Sequence, residues 1–447
     1  MCNALFGFIE NDIFIKSFCI KTIMENIEDV LREWGATAAG KPLKNREFDI
    51  NKTIDESKNR VVSITGIRRA GKSSILMLIY RKLATLGKKA AYANLEDNRL
   101  QIPEALDAIL KQTPNADWLL LDEVTSAKEW ENWIHRINEM KSVHLITTSS
   151  LNKLSRFPPK ALRGRISYFE FFPLSFVEFL EFRNIKMPET TREIGIVEHE
   201  LDDYLTYGGF PEVVLSENKV GIVQEYMNSI IALDVAALST VPLRVVSDFS
   251  AQLIGTTLFS ATKLENVMKN MGHKIGKSTL LELEQLFETA YLAFFVPVFS
   301  TKIKDEALYS RKVYLGDTGF FYAARGKKNF GRVYENAVFL QLRRKLNPLG
   351  QISYYRSAGN QEVDFVIRQG SEVKKLIQVV YELDDEKTKE REIKALVEAA
   401  EEFGLDGKKG ELLIITKDYE AKEDFEGKRI TYKKLWKWLI EEGKSII

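Results

Sequence analysis

The sequence predicts an α/β fold whose N-terminal half is a parallel sheet with crossover helices. Three observations predict it. An apolar, β-branched run at Val61, Val62 and Ile64 leads into Gly66-Ile67-Arg68-Arg69-Ala70-Gly71-Lys72-Ser73-Ser74, and a helical pattern from Ile75 to Tyr80 with Leu83 follows. A second apolar run, Trp118-Leu119-Leu120-Leu121, ends in Asp122-Glu123, at a distance from Lys72 that fits one intervening βα unit. A third, His144 to Thr148, ends in Ser149-Ser150 after one helix with Trp130, Trp133, Ile134, Ile137 and Met140 at helical spacing. Strands alternating with helices in this way build a parallel sheet, because each crossover returns the chain to the same edge.

The glycine-bearing loop fits the phosphate-binding pattern G-x-x-x-x-G-K-[ST]. Its glycines let backbone N–H groups turn toward phosphate oxygens, and the new helix aims its positive dipole end at them. Gly66, Ile67, Arg68, Arg69, Ala70, Gly71, Lys72, Ser73 and Ser74 are therefore the candidate nucleotide-binding residues. Lys72 is expected to reach the β- and γ-phosphates of ATP, and the Ser73 hydroxyl to sit on Mg²⁺. Asp122 is expected to hold Mg²⁺ through water, and Glu123 to polarise the attacking water, which argues for hydrolysis rather than binding alone. Thr148 or Ser149, closing the third strand, is the candidate sensor of the γ-phosphate; the alternative is an ordinary strand-to-loop cap. Arg163 and Arg165 offer guanidinium groups that could neutralise the transferred phosphoryl, against the simpler reading of a surface ion pair.

Composition narrows the field. An apolar fraction of 45% with 28% charged residues is that of a water-soluble globular chain, and 447 residues give room for about two to four domains. With 64 basic and 63 acidic residues the net charge is +1, so any nucleic-acid binding must come from local patches. Both cysteines, Cys2 and Cys19, lie in the first twenty residues, and His135, His144, His199 and His273 have no metal-ligand spacing. The apolar stretch from Leu5 to Ile23 is broken by Glu10, Asp12, Lys16 and Lys21, too often for a membrane span. Residues 1–23 read as an upstream extension, with Met24 as the expected start. A cytoplasmic setting without a membrane partner is the expectation.

The sheet core with its lead-in is expected over residues 24–182 and a helical lid over 183–240. Residues 241–310 read as a winged helix-turn-helix: short helices over 253–258 and 264–271, a basic turn with Lys274 and Lys277, a helix from Ser278 to Leu292 and two strands. Thr279 and Glu282 have capping-box spacing there. Lys274 and Lys277 are the candidate DNA-binding residues, while Glu282, Glu284 and Glu288 on the same helix repel phosphate.

Residues 311–447 form a last α/β unit, whose order of elements resembles the core of restriction-endonuclease-like nucleases. In that resemblance Glu335 takes the place of the acidic residue of the first helix and Asp364 that of the second-strand aspartate, both ligands of Mg²⁺. The third strand departs from it. Gln378-Val379-Val380 stands where [D/E]-x-K is expected, so Gln378 offers only an amide oxygen, and a lysine would have to approach from Lys387 or Lys389.

Taken together, the loop Gly66–Ser73, Leu120-Leu121-Asp122-Glu123, Leu162-Arg163-Gly164-Arg165, Pro173-Leu174-Ser175-Phe176, Tyr207-Gly208-Gly209-Phe210-Pro211, Tyr314-Leu315-Gly316-Asp317-Thr318-Gly319-Phe320, Tyr334-Glu335-Asn336 and Glu362-Val363-Asp364-Phe365 resemble an archaeal and bacterial family of AAA-type P-loop ATPases with a nuclease-like C-terminal domain of unknown function. The resemblance implies ATP binding and a DNA-related domain, and favours Arg165 as the functional arginine. The family has a Gly-Ser-Ser-like sensor where this chain has Thr148-Ser149-Ser150. Three functions compete: an ATPase that couples turnover to DNA binding or remodelling, a nucleotide-dependent switch or scaffold acting in a homo-oligomer or on a protein partner, and an ATP-licensed, Mg²⁺-dependent DNA nuclease.

Overall fold

The computed structural model describes residues 27–152, 162–300, 309–327, 329–347, 349–357, 359, 361–383, 386–405 and 410–444. The expected extension 1–23, Met24 and both cysteines lie outside these residues. The chain divides into two compact units, one of Met1–Gly66 with Gly71–Phe171, the other of Ile67–Ala70 with Phe172–Ile447.

The first unit is built on five parallel strands: β1 (Val61–Thr65), β2 (Ala90–Asn94), β3 (Trp118–Asp122), β4 (His144–Ser149) and β5 (Ile166–Glu170), in the order β2-β3-β4-β1-β5. β1 and β3 are buried along their whole length, which is why they read as unbroken apolar runs rather than alternating ones. Register aligns the strand ends: Thr65 lies beside Ser149, and Leu121 beside Thr147. The tip of β4 therefore falls between the strand that feeds the glycine loop and the strand that ends in Asp122. The helix Trp130–Met140 packs Trp130, Trp133, Ile134 and Ile137 into a core shared with Leu119 and Leu121 of β3 and with Ile27 and Val30 of the helix over 27–40. Met140, expected on that face, is 64% exposed, because the helix stops one residue later at a left-handed Lys141.

The second unit opens with the helix Phe176–Phe182. The division after Phe171 falls ahead of the expected boundary at residue 182 because this helix packs forward: Phe176 and Phe179 both lie against Tyr204, with ring centroids 5.4 and 5.3 Å away. Ser175 and Glu178 close a capping box at its start, as Thr190 and Glu193 do for the helix Thr191–Tyr207. The sequence runs flagged by resemblance are joined here by one buried carboxylate. Asp317 accepts the N–H of Gly209 at 2.9 Å and of Gly319 at 2.8 Å. At Gly208, which has φ +81, a Cβ would meet Asp317 Oδ1 at 1.6 Å, so the turn requires glycine on both counts. Leu174 donates to Gly209 O at 2.7 Å, and Arg344 donates to Pro173 O at 2.9 Å. These runs are thus a structural clasp, tied by hydrogen bonds to the backbone.

Beyond the helices Pro211–Leu215 and Lys219–Ser229 come the helix Leu243–Gly255, strand β6 (Leu258–Phe259), the helices Ala261–Asn270 and Lys277–Thr289, and strands β7 (Ala293–Val296) and β8 (Arg311–Leu315), with sheet order β6-β8-β7. The helix expected over 253–258 is in fact the longer Leu243–Gly255, followed by a strand. The expected capping box at Thr279 is absent: the helix starts at Lys277, its cap is Gly276, and Thr279 sits inside the first turn.

The C-terminal part follows the helix Phe330–Lys345 with a six-stranded mixed sheet: β9 (Gly350–Arg356), β10 (Glu362–Gln369), β11 (Glu372–Val380), β12 (Glu411–Thr416), β13 (Ala421–Phe425) and β14 (Lys428–Lys434), in the order β13-β14-β12-β11-β10-β9. The hairpin β13–β14 was not among the expected elements. Ala421-Lys422-Glu423-Asp424-Phe425 carries three charges in five residues and lacks an apolar alternation, as suits a protected edge strand. Among the described residues no helix is long and apolar enough to cross a membrane.

Candidate functional site

The glycine loop leaves β1 beside the tips of β4 and β5. Gly66 donates its N–H to Ser149 O at 3.2 Å, and Phe171 donates to Thr65 O at 2.7 Å. A Cβ at Gly66 would lie 1.9 Å from Phe171 O, so only glycine lets the end of β5 pass this close. Arg69 has φ +70 and Gly71 φ +102, after which the helix Lys72–Thr85 begins with no side-chain cap. The first turn of that helix thus faces the loop without a side-chain cap, an arrangement that suits an anion.

Around this turn the strand ends assemble a compact polar cluster. Lys72 is 3% exposed; its ammonium donates to Gly66 O at 3.0 Å and lies 3.3 Å from Glu123 Oε1. The other Glu123 oxygen accepts the Ser150 N–H at 2.8 Å. Glu123 adopts φ 50 and ψ 53, a left-handed backbone that costs a non-glycine residue roughly 1 kcal/mol and turns its carboxylate toward Lys72. Thr148 links both acids: its hydroxyl donates to Asp122 Oδ1 and accepts the Glu123 N–H at 2.9 Å. Tyr92 donates to the second Asp122 oxygen at 2.8 Å. Burial raises the Asp122 carboxyl above its usual range and Glu123 adds to the effect, against hydrogen bonds from Thr148, Ser73 and Tyr92. Burial and the same Asp122 raise the Tyr92 phenol, which keeps it a donor.

The donors fit a magnesium nucleotide. Ser73 and Asp122 already share a hydrogen bond, and both offer the hard oxygens that Mg²⁺ prefers. Of the two sensor candidates, Thr148 touches both acids, whereas Ser149 spends its hydroxyl on Thr125 Oγ1 at 3.2 Å and Leu151 O at 3.0 Å. Arg68 and Arg69 cluster with the second unit: Arg68 forks onto the buried Asp234 at 3.0 to 3.3 Å, and Arg69 lies 5.6 Å over the ring of Tyr226.

Arg165 is not brought to the cluster. It precedes β5, its carbonyl accepts from Val61 N at the start of β1, and its guanidinium contacts His135 at 2.9 Å and Glu139 at 3.1 Å. That is the opposite end of the strands, one strand length (about 17 Å) from the loop. Lys274 and Lys277 are both exposed.

The C-terminal candidates do converge, around a residue that the sequence reading passed over. Glu335 and Asp364 meet at Lys312 of β8, at 2.9 and 2.7 Å, joined by Glu362 at 2.7 Å. Gln378 uses both ends of its amide: Oε1 accepts the Asp364 N–H at 3.1 Å and Nε2 donates to Glu392 at 2.6 Å. Lys389 pairs with Glu423 at 2.8 Å; the side chain of Lys387 lies outside the described ones. Among the described residues no group of three or more His, Cys, Asp and Glu side chains is arranged to hold a metal ion.

Tyr92 and Lys312 were thus missed as members of the two clusters. Tyr92 sits at a buried position of β2, and a polar-tipped side chain in a buried strand was the available signal. For Lys312 the signal was a lysine inside the otherwise buried strand Lys312-Val313-Tyr314-Leu315.

Residues 58–180 match the model described as an AAA domain. Residues 198–330 and 330–435 match two domains of unknown function, DUF8612 and DUF4143. An uncharacterised protein of Methanocaldococcus jannaschii is 34% identical over 418 residues, which cover 89% of this chain and 91% of that one. An uncharacterised protein of Haemophilus influenzae is 27% identical over 341 residues, 72% of this chain and 82% of its own. AMPPCP-bound DnaA from Aquifex aeolicus aligns over 54% of this chain and 92% of its own at 14% identity and a TM-score of 0.26, a likeness too slight to argue from. With an AAA domain at its N-terminal end and a near full-length match to the M. jannaschii protein, the chain belongs to that protein's family of AAA-type P-loop proteins.

Proposed function

We propose that the chain is an ATPase whose hydrolytic centre is formed by Lys72, Ser73, Asp122, Glu123 and Thr148. The observation that carries this reading is the 3.3 Å approach of Glu123 to the Lys72 ammonium. Lys72 is the group that would hold the γ-phosphate, so a carboxylate at that distance is within reach of a water in line with the phosphorus. Ser73 and Asp122 would hold Mg²⁺, which neutralises phosphate charge. Thr148, bonded to Asp122 and to the Glu123 backbone, keeps the two acids in register. Steady-state ATP turnover and nucleotide affinity test this. Lys72→Ala is expected to lose binding and turnover, and Glu123→Gln to retain binding while turnover falls by about 10²-fold or more. A Glu123→Gln protein that hydrolyses ATP at the parent rate would remove Glu123 from the chemistry.

Coupling to DNA is the second part of the proposal. The order of helices and strands from Leu243 to Leu315, with its β6-β8-β7 sheet, supports a winged helix. Two of the three acids on its second helix turn inward: Glu284 pairs with Arg311 at 2.9 Å and Glu288 accepts the Phe295 N–H at 3.3 Å. Lys274, Lys277, Ser278 and Gln285 remain exposed, with Glu282 as the exposed acid. Stimulation of turnover by duplex, single-stranded or branched DNA, lost in Lys274→Glu/Lys277→Glu, supports coupling. Turnover indifferent to all three favours the switch or scaffold reading. Arg165 then becomes of interest as a group offered to a neighbouring copy.

A further inference from the structure

The C-terminal cluster resembles a metal-dependent nuclease site in two of its acids, but the groups present do not fit a metal. The Lys312 side chain is 6% exposed, and its ammonium stands at 2.7 Å from Asp364 Oδ1, 2.7 Å from Glu362 Oε1 and 2.9 Å from Glu335 Oε1. An ammonium has three N–H donors, and three carboxylates take them. Two of these carboxylates are also held by other donors. Asp364 Oδ2 accepts the Val379 N–H at 2.9 Å, and Glu335 Oε1 accepts the Tyr314 hydroxyl at 2.6 Å. The Gln378 oxygen, the one expected to face a metal, is bound to the Asp364 N–H at 3.1 Å. A divalent ion bonding these oxygens at its usual distance of about 2.0–2.6 Å would have to share them with a buried positive charge.

We propose that Lys312 is a built-in cation: its ammonium holds the position that a divalent metal takes in a nuclease centre, so that the cluster binds the three carboxylates together and takes up no metal. The lysine thereby turns a hydrolytic arrangement into a cross-link between β8, the helix Phe330–Lys345 and β10. This stands apart from the ATPase reading, since none of these residues belongs to the nucleotide cluster.

The test is Mn²⁺ uptake by the full chain without nucleotide, read by electron paramagnetic resonance of the free ion. The parent and Asp364→Asn proteins are expected to take up the same amount. Lys312→Met, which frees the three carboxylates, is expected to gain one Mn²⁺ per chain and to lose it again in Lys312→Met/Asp364→Asn. A parent protein that binds Mn²⁺ and loses it on Asp364→Asn overturns the proposal. So does a folded Lys312→Met protein that gains none. Should Lys312→Met fail to fold through carboxylate repulsion, the double variant is expected to recover the fold; its failure to do so also overturns the proposal.

Discussion

Two buried lysines in this chain each meet carboxylates, and they do opposite things. Lys72 lies against an acid, Glu123, and a backbone carbonyl, at the mouth of a glycine loop and a helix start. Lys312 meets three acids, one of which also accepts the Tyr314 hydroxyl, inside a sheet-and-helix layer. In the first, the lysine stands at a glycine loop and a helix start, the setting in which a polyanion binds. In the second, the protein's own anions complete the shell. The lesson is that a lysine beside an aspartate or glutamate has no fixed meaning; the number of carboxylates and the surrounding backbone decide it.

The largest expected effect breaks the comparison directly. Lys312→Ala leaves three carboxylates facing one another in a buried site, and should lower the stability of the second unit by about 3–5 kcal/mol while leaving nucleotide affinity intact. Lys72→Ala should do the reverse. Urea unfolding together with nucleotide titration of both variants would separate them, and equal destabilisation would show that the two sites are alike.

Next is a buried acid held mainly by backbone N–H groups. Burial raises Asp317 to about 6, against the N–H groups of Gly209 and Gly319 and the positive charge of Arg344. The sign follows from proton counting. Between the unfolded value of 3.8 and the folded value of about 6, the folded chain keeps a proton that the unfolded chain releases. Stability should therefore fall as pH rises through that window and level off above it, by about 2–3 kcal/mol. Asp317→Asn removes the titration and turns one amide donor toward a backbone N–H. It should flatten the pH slope of the urea midpoint, and an unchanged slope would assign it to another group.

The smallest effect sharpens the picture of the nucleotide cluster. Tyr92→Phe deletes one hydrogen bond to Asp122, worth about 1 kcal/mol, and should reduce turnover modestly by loosening a carboxylate that stays in place. Thr148→Val, which loses bonds to Asp122 and to the Glu123 backbone together, should cost more. The ratio of the two turnover rates measures how far register between the acids matters.

What was legible in the sequence was local. The strand before the glycine loop, the helix after it and the buried strand ending in Asp122-Glu123 are each set by a few consecutive residues, so periodicity and turn chemistry reveal them. The hairpin β13–β14 escaped because a charged edge strand carries no apolar period. The long helix Leu243–Gly255 was read too short because its exposed start, with Leu243 half exposed, blurs the stripe.

By itself the sequence determined the parallel-sheet core, its phosphate loop and the two acids at the end of β3, since backbone conformation there follows from neighbours in the chain. Tertiary structure alone decided which polar groups meet. Tyr92 and Thr148 reach Asp122 across 30 and 26 positions because β2 and β4 flank β3. Lys312 finds Asp364 across 52 positions, and Arg165 is carried to the opposite end of the strands from the loop. Such meetings depend on strand order and register, which arise from how whole faces pack and which no short window of residues contains.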